Sequence, residues 1–138
     1  MFFSKSKYVG FWQCPKINWL DKYKPEERET DDSLESRLTS GNEIGDLAMN
    51  LFGEYTEVTT LKEDGKLDIS KMIEKTKDEI SKGTENICEA SFDYNGLYCA
   101  VDILHKEKDG YAIYEIKSST GLNYIYLVDI AYQKYVLE

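Results

Sequence analysis

The chain is poor in the residues that build metal-thiolate sites and disulfide frameworks. Its 138 residues include only three cysteines and one histidine, and the cysteines are an odd number at wide spacing. This spacing argues against a CxxC zinc knuckle and a disulfide framework, so we interpret Cys14, Cys88 and Cys99 as reduced, structural thiols. No apolar run approaches the roughly 20 residues that span a bilayer, so we expect no membrane partner.

A secretory signal is missing as well. The N-terminus MFFSKSKY has neither the long apolar stretch nor the small-residue cleavage site of such a signal, and we therefore expect a cytoplasmic protein. There is no internal repeat and no low-complexity segment. The length suits a single domain over residues 1–138, and an apolar share of 41% is enough to fill one core.

The net charge of -9 argues at first against a nucleic-acid partner, because Lys and Arg drive phosphate binding. The charge is unevenly distributed, however. Residues 1–28 hold six basic and three acidic side chains, residues 29–68 hold three and eleven, and residues 69–138 hold eight and twelve. Carboxylates that bind divalent cations also make a protein look more acidic than it is once loaded. Net charge therefore does not exclude nucleic-acid binding.

The first part of the chain shows the spacing of short helices. Tyr8, Val9 and Trp12 predict one helix, and a second is expected to begin near Pro15. Residues 26–38 are almost wholly polar. We expect a solvated loop or a frayed helix there, with disorder as a further alternative.

Two longer amphipathic helices are predicted next. The first has Ser40 or Asn42 as its cap and ends at Gly53, and its apolar face repeats at i, i+3, i+4 and i+7: Ile44, Leu47, Ala48 and Leu51. The second begins at Asp68 and ends at Gly83, and its expected buried face comprises Ile69, Met72, Ile73, Thr76 and Ile80.

The hydrophobic period then changes to two. The runs NICEASFDY and LYCAVDILH are separated by Asn95 and Gly96, the pair that a two-residue type I′ hairpin turn prefers. The run YAIYEIKSS follows a turn at Asp109 and Gly110, so we expect a three-stranded antiparallel meander. The tail, residues 124–138, has helical spacing, and the residues that mark the face expected to pack on the sheet are Tyr126, Leu127, Ile130, Ala131, Lys134 and Tyr135. The predicted fold class is α/β.

Three charged side chains in the strands indicate a reaction centre. Asp102 lies inside the apolar run CAVDIL, where a carboxylate is costly unless it is paired, hydrogen-bonded or bound to a metal. Glu115 and Lys117 are two residues apart, so a strand places both on one face. Pairing of the two strands would give Mg²⁺ or Mn²⁺ two oxygen ligands with Lys117 beside them, which suits phosphodiester hydrolysis. A simple cross-strand ion pair is the alternative that spacing alone favours.

The same residues resemble a known motif. AVDIL, followed by YEIKSST, resembles the D…ExK signature of the PD-(D/E)XK nuclease superfamily, closest to its RecB-like and CRISPR-associated exonuclease branch. FWQCPKINWLDKYKPE is similar to the N-terminal segment of that family, GNEIGDLAMNLFG to its first core helix, and DIAYQKYVL to the helix with its conserved Gln. The resemblance implies a restriction-endonuclease-like core and metal-dependent, exonucleolytic hydrolysis of DNA on single strands or ends.

By this resemblance, Asp102 and Glu115 are metal ligands, Lys117 is the catalytic lysine, and Gln133 contacts DNA or the active site. The implied cofactor is Mg²⁺ or Mn²⁺. Relatives that hold an iron-sulfur cluster carry three Cys after the nuclease core, and no Cys follows Cys99 here. No such cluster is expected.

A further metal ligand is left open. Many relatives place a His or Glu of the first core helix near the metal, but where a His would fall this chain has Gly45. Either Glu43 or Glu89 would replace it, with a surface acid as the alternative for each. Cys14 matches a cluster ligand of some relatives, and we interpret it as a buried apolar residue.

The resemblance also raises expectations about the end of the chain and its partners. Relatives continue from the last helix into a fourth core strand, so we expect a fragment or a shortened version, with a homodimer through an exposed sheet edge or helix face. Two other functions stay open. One is a catalytically inactive nuclease-fold module that binds DNA or a protein partner, and the other is a structural domain with surface ion pairs.

Overall fold

The computed structural model describes residues 2–28 and 32–138, and within residues 32–38 it describes the backbone alone. This part of the chain has the mixed α/β architecture that the sequence predicts. Its helices are α1 (Lys5–Gln13), α2 (Ile17–Tyr23), α3 (Asp32–Ala48), α4 (Ile69–Lys82) and α5 (Tyr124–Leu137), with a 3₁₀ turn at Pro25–Glu27. Its strands are β1 (Phe3–Ser4), β2 (Thr56–Glu57), β3 (Asn86–Tyr94), β4 (Leu97–Glu107) and β5 (Gly110–Tyr114).

Helix α4 forms where the sequence predicts it, because both of its ends are encoded locally. The Asp68 side chain accepts a hydrogen bond from the backbone N–H of Lys71 at 3.3 Å, which caps the first turn. Gly83 ends the helix with a φ of 77°, a left-handed conformation that glycine adopts without strain. The predicted apolar face is confirmed at its centre, where the buried residues are Met72, Ile73 and Thr76.

The β-hairpin is also confirmed. Asn95 and Gly96 both have positive φ, 48° and 82°, as a type I′ turn requires, and β3 pairs antiparallel with β4 around them. β5 pairs antiparallel with the other end of β4, so the three-stranded meander is present. The predicted third strand is too long, however. β5 ends at Tyr114. Two residues further along the chain, the backbone N–H of Ile116 donates to the Asp102 side chain at 2.6 Å, and the strand therefore does not continue.

Two short strands share one edge of β4 and leave a gap between them. β1 runs parallel to β4 and pairs with Leu97 and Tyr98, whereas the pairing with β5 begins at Ile103. Residues 99–102 of β4 lie between these two ladders. The chain that leaves β1 and the chain that leaves β5 therefore run toward each other, and Asp102 lies at the point where they converge.

The core holds the sheet against the helices. One cluster of buried residues joins Val58, Ile87, Ala90, Val101 and Leu104, and a second joins Cys99 of β4 to Tyr132 and Val136 of α5. The Tyr132 hydroxyl donates to the Phe3 carbonyl and accepts from the Tyr98 N–H at 3.3 Å, which fixes α5 to β1 and β4. None of the described helices is long and apolar enough to cross a membrane.

The predicted helix over Ile44 to Leu51 needs correction. α3 begins at Asp32 and ends at Ala48, so neither Ser40 nor Asn42 caps it and Gly53 lies beyond its end. Its apolar face is largely uncovered, since Leu47 is 77% exposed. For residues 26–38 the sequence left a loop, a frayed helix and disorder open. Residues 32–38 are helical, and Pro25–Glu27 is a 3₁₀ turn. Residues 29–31 lie outside the described part of the chain.

Helix α5 buries a different face from the predicted one. Leu127 and Tyr135 are exposed, and the buried residues are Val128, Asp129, Tyr132, Gln133 and Val136. Apolar side chains surround this helix almost completely, so their spacing did not distinguish its inner face.

The three cysteines are unpaired, as predicted, but they differ in environment. Burial raises the thiol pKa of Cys88 to about 11 and that of Cys99 to about 12, which keeps both protonated and unreactive. Cys14 is exposed, so its interpretation as a buried apolar residue is wrong. It follows the last residue of α1, where the backbone turns toward α2.

Candidate active site

The candidate site forms in the gap along the edge of β4. Lys5 is the first residue after β1, and Glu115 is the first residue after β5, so the two converging chains bring their side chains together. Asp129 and Gln133 come from the buried face of α5. Lys117 reaches the same cluster from the loop that follows β5.

Two lysines bracket two carboxylates in this cluster. The Lys5 Nζ lies 3.0 Å from both oxygens of Glu115 and 3.5 Å from Asp129 Oδ1. The Lys117 Nζ lies 2.5 Å from Glu115 Oε1 and 2.7 Å from Asp129 Oδ2. Only 6% of the Glu115 side chain and 7% of the Asp129 side chain are exposed. The four charges therefore compensate one another in a recessed position.

Gln133 links the same two carboxylates. Its Nε2 donates to Glu115 Oε2 at 2.7 Å and to Asp129 Oδ1 at 2.8 Å. The side chain is fully buried, and its Oε1 has no hydrogen-bond partner within the described chain. Gln133 therefore contacts two carboxylates of the candidate site, and its side chain is closed off from solvent.

Charge pairing dominates the ionisation of this cluster. Burial by itself lowers the pKa of the Lys5 ammonium, but the charges of Glu115 and Asp129 outweigh it and raise the pKa. Lys117 follows the same pattern, since its hydrogen bonds to Asp129 and Glu115 overcome its burial. Burial raises the pKa of Asp129, and the two lysines and Gln133 reverse this, so its pKa is lowered overall. Both lysines are therefore cationic at neutral pH.

Two further carboxylates, those of Glu89 and Asp102, have raised pKa values. A cavity of about 240 Å³ lies between α3 and the sheet, and Glu89, Asp102, Glu115 and Asp46 contribute to its lining. Burial and the charge of Glu115 raise the pKa of Asp102, against the hydrogen bond from Ile116. Burial and the charge of Asp102 raise the pKa of Glu89 to about 7. This cavity therefore favours a cation.

The backbone is strained where Glu89 enters this cavity. Its φ of 57° is in the left-handed region, which costs a residue with a Cβ about 1–2 kcal/mol. The flanking pairs Cys88↔Ile103 and Ala90↔Val101 keep one register, so Glu89 lies opposite Asp102. Such strain is often found at functional sites.

Glu43 and the single histidine of the chain, His105, occupy different places. Glu43 is exposed and is not among the described residues that line the cavity, whereas Gly45 and Asp46 of the same helix are. A Cβ built on Gly45 would meet no atom within 4 Å, so this position faces open space. His105 stacks on Phe52 with ring centroids 4.1 Å apart, and its Nδ1 lies 2.7 Å from Asn86 Oδ1. It has a structural role at the end of the hairpin.

Three carboxylates, those of Glu89, Asp102 and Glu115, line one cavity. Carboxylate oxygens are suitable ligands for a hard divalent cation. Among the described residues, however, no group of three or more Asp, Glu, His or Cys is arranged to hold a metal ion. Both oxygens of Glu115 already accept hydrogen bonds from lysine and glutamine. A metal would require the Glu115 carboxylate to give up one of these contacts.

Two residues of the cluster, Asp129 and Lys5, were not predicted from the sequence. Asp129 lies four residues before Gln133 on α5, so the helical period puts both on one face, and this spacing was a usable signal. Lys5 gave no comparable signal, since its position depends on the pairing of β1 with β4.

Comparison with known proteins adds no assignment. No protein-family model, curated protein or solved structure matches the chain.

Proposed function

We propose that this chain is a metal-dependent nuclease that hydrolyses DNA phosphodiester bonds, with Asp102, Glu115 and Lys117 as its reaction centre. The observation that carries the proposal is the convergence of these side chains at the gap in the edge of β4. The resemblance of AVDIL and YEIKSST to the PD-(D/E)XK signature supports it independently. An exonucleolytic action on single strands or ends follows from the same resemblance.

The proposal gives a role to each of six residues around the cavity and the cluster. Asp102, Glu115 and Glu89 would hold Mg²⁺ or Mn²⁺, which would activate a water molecule and offset the charge of the scissile phosphate. Lys117, whose Nζ contacts Glu115, would orient the water or stabilise the charge that develops on the phosphate. Asp129 and Gln133 hold Glu115 and Lys117 in place by the hydrogen bonds described above.

One observation favours a second function. Lys5, Lys117 and Gln133 saturate the Glu115 oxygens with donors, so the cluster is stable without a metal. A nuclease-fold module that binds DNA or a protein partner without turnover would retain such a neutralised centre. Cleavage separates the two functions directly.

The decisive assay uses end-labelled single-stranded and double-stranded DNA with Mn²⁺, Mg²⁺ or EDTA. We expect cleavage with either metal, none with EDTA, and none by Asp102→Asn or Lys117→Ala. Asp93→Asn and Lys108→Ala, at exposed positions of the same hairpin and the next turn, serve as matched controls and should cleave normally. Binding of DNA without metal-dependent cleavage would favour the inactive module.

A further inference from the structure

A larger cavity reaches the lysine and carboxylate cluster from the N-terminal helices. It has a volume of about 430 Å³, which is within the range of small-molecule clefts. Residues of α1 and α2 line it, and so do Glu115, Lys117 and Asp129 of the cluster. We call this cavity the N-terminal groove. A ligand that occupies it would lie directly beside the proposed reaction centre.

The groove is preformed by contacts between its two helices. The Asn18 side chain donates to the Lys7 carbonyl at 2.8 Å and so ties α2 to α1. Gly10 is buried at the crossing, and a Cβ there would lie 3.2 Å from Ile17 Cγ2. Gly10 thus allows α1 and α2 to approach closely, and this packing together with the Asn18 hydrogen bond sets the shape of the groove.

Among the described residues that line the groove, four are basic and three are acidic. Lys5 and Lys117 are paired with Glu115 and Asp129, but Lys7 and Arg28 also line the groove and are exposed. Neither of these two side chains has an ion pair within the described residues. Apart from Glu115 and Asp129, the one acid that lines the groove among the described residues is Asp21 of α2. In a chain with a net charge of -9, this local surplus favours an anionic ligand.

We propose that the N-terminal groove holds the backbone of a single DNA strand, with Lys7 and Arg28 contacting phosphates next to the one at the reaction centre. This inference rests on the proposed nuclease function. The carboxylates Glu115 and Asp129 are recessed, and Lys117 beside them lines the groove, so a phosphate that enters the groove reaches Lys117. A single strand can place a phosphate in the groove by itself, whereas a duplex would also have to bring its second strand.

The test measures binding of a fluorescein-labelled oligo-deoxythymidine by fluorescence anisotropy in EDTA, at several salt concentrations. Lys7→Ala and Arg28→Ala should each weaken binding about fivefold or more and reduce the slope of log K against log salt by about 0.7, the value for one phosphate contact on a single strand. Asp21→Asn should strengthen binding, because it removes the opposing charge. Matched controls are Lys16→Ala and Lys134→Ala, which delete exposed lysines outside the groove and should leave the slope unchanged.

Several outcomes would overturn the inference. Equal losses for Lys7→Ala and Lys16→Ala would indicate diffuse attraction, and tighter binding of duplex DNA would exclude a single-strand path. Displacement of the oligonucleotide by polyglutamate at the same charge concentration would indicate an acidic peptide instead. If binding depends on Lys7 and Arg28 but no metal-dependent cleavage occurs, the groove proposal stands and the nuclease proposal fails. If cleavage occurs and these variants have no effect on binding, the groove proposal alone fails. The melting temperature of each variant shows whether it is folded.

Discussion

The ammonium nitrogen of Lys5 lies 3.0 Å from each carboxylate oxygen of Glu115, although the two residues are 110 positions apart in the sequence. This contact closes the gap between β1 and β5 and supplies a cation to a cluster of acids. It explains how these carboxylates can be recessed, since an unpaired buried charge is strongly destabilising.

Replacement of this lysine should have opposite effects on stability and on metal binding. Lys5→Met removes one partner of a buried ion pair and should lower the free energy of unfolding in EDTA by about 3 kcal/mol. It should also strengthen Mn²⁺ binding at least about tenfold, because Glu115 loses a competing cation. Thermal melting and isothermal titration calorimetry measure the two effects. Lys16→Met, an exposed control, should change neither, and weaker Mn²⁺ binding by Lys5→Met would contradict the competition.

The pH dependence of stability should change when Glu89 no longer titrates. Its pKa is raised from 4.5 to about 7 by burial and the charge of Asp102, so its favourable contribution is complete below 4.5 and is lost as the pH rises through 7. Glu89→Gln should therefore match the wild type at low pH and exceed it above pH 7. Solvent reaches part of this side chain, so the gain is about 1–2 kcal/mol.

Urea unfolding in EDTA across this pH range measures the Glu89 effect. The exposed Glu85, one residue before β3, provides the control, and Glu85→Gln should leave the pH profile unchanged. A constant difference between wild type and Glu89→Gln at all pH values would mean that the carboxyl of Glu89 does not titrate near 7.

The buried amide of Gln133 should matter for folding. Gln133→Leu removes one donor from Glu115 and one from Asp129, and it should destabilise the protein by about 1–3 kcal/mol. Lys134→Ala, on the exposed side of α5, is the matched control and should have little effect. An unchanged stability of Gln133→Leu, together with weaker DNA binding, would instead support a direct contact with DNA.

The sequence predicted those parts of the fold that have local signals. The Asn95–Gly96 turn, the Asp68 cap and the Gly83 end of α4 each depend on the conformation of one or two residues, and each was identified correctly. The end of β5 was not, because a side chain of β4, Asp102, takes the hydrogen bond that the strand would need to continue. Such competition depends on tertiary contacts.

The candidate site was predicted only in part for the same reason. Asp102, Glu115 and Lys117 could be proposed from an apolar strand and a period of two, and the structure brings Glu115 and Lys117 together even though both lie beyond the strand. Lys5 enters the cluster through the pairing of a two-residue strand, which has no sequence pattern. Glu43 lies on α3 but does not line the cavity, whereas Asp46 of the same helix does, and the spacing of the sequence alone did not distinguish the two positions.

The most direct measurement is the position of bound Mn²⁺ by anomalous scattering from crystals soaked in the ion. The proposal that Asp102 and Glu115 form a metal centre predicts an anomalous peak between their carboxylates, within the cavity that Glu89 also lines, and loss of this peak in Asp102→Asn. Anomalous density elsewhere on the protein, or no density at these carboxylates at saturating Mn²⁺, would contradict it.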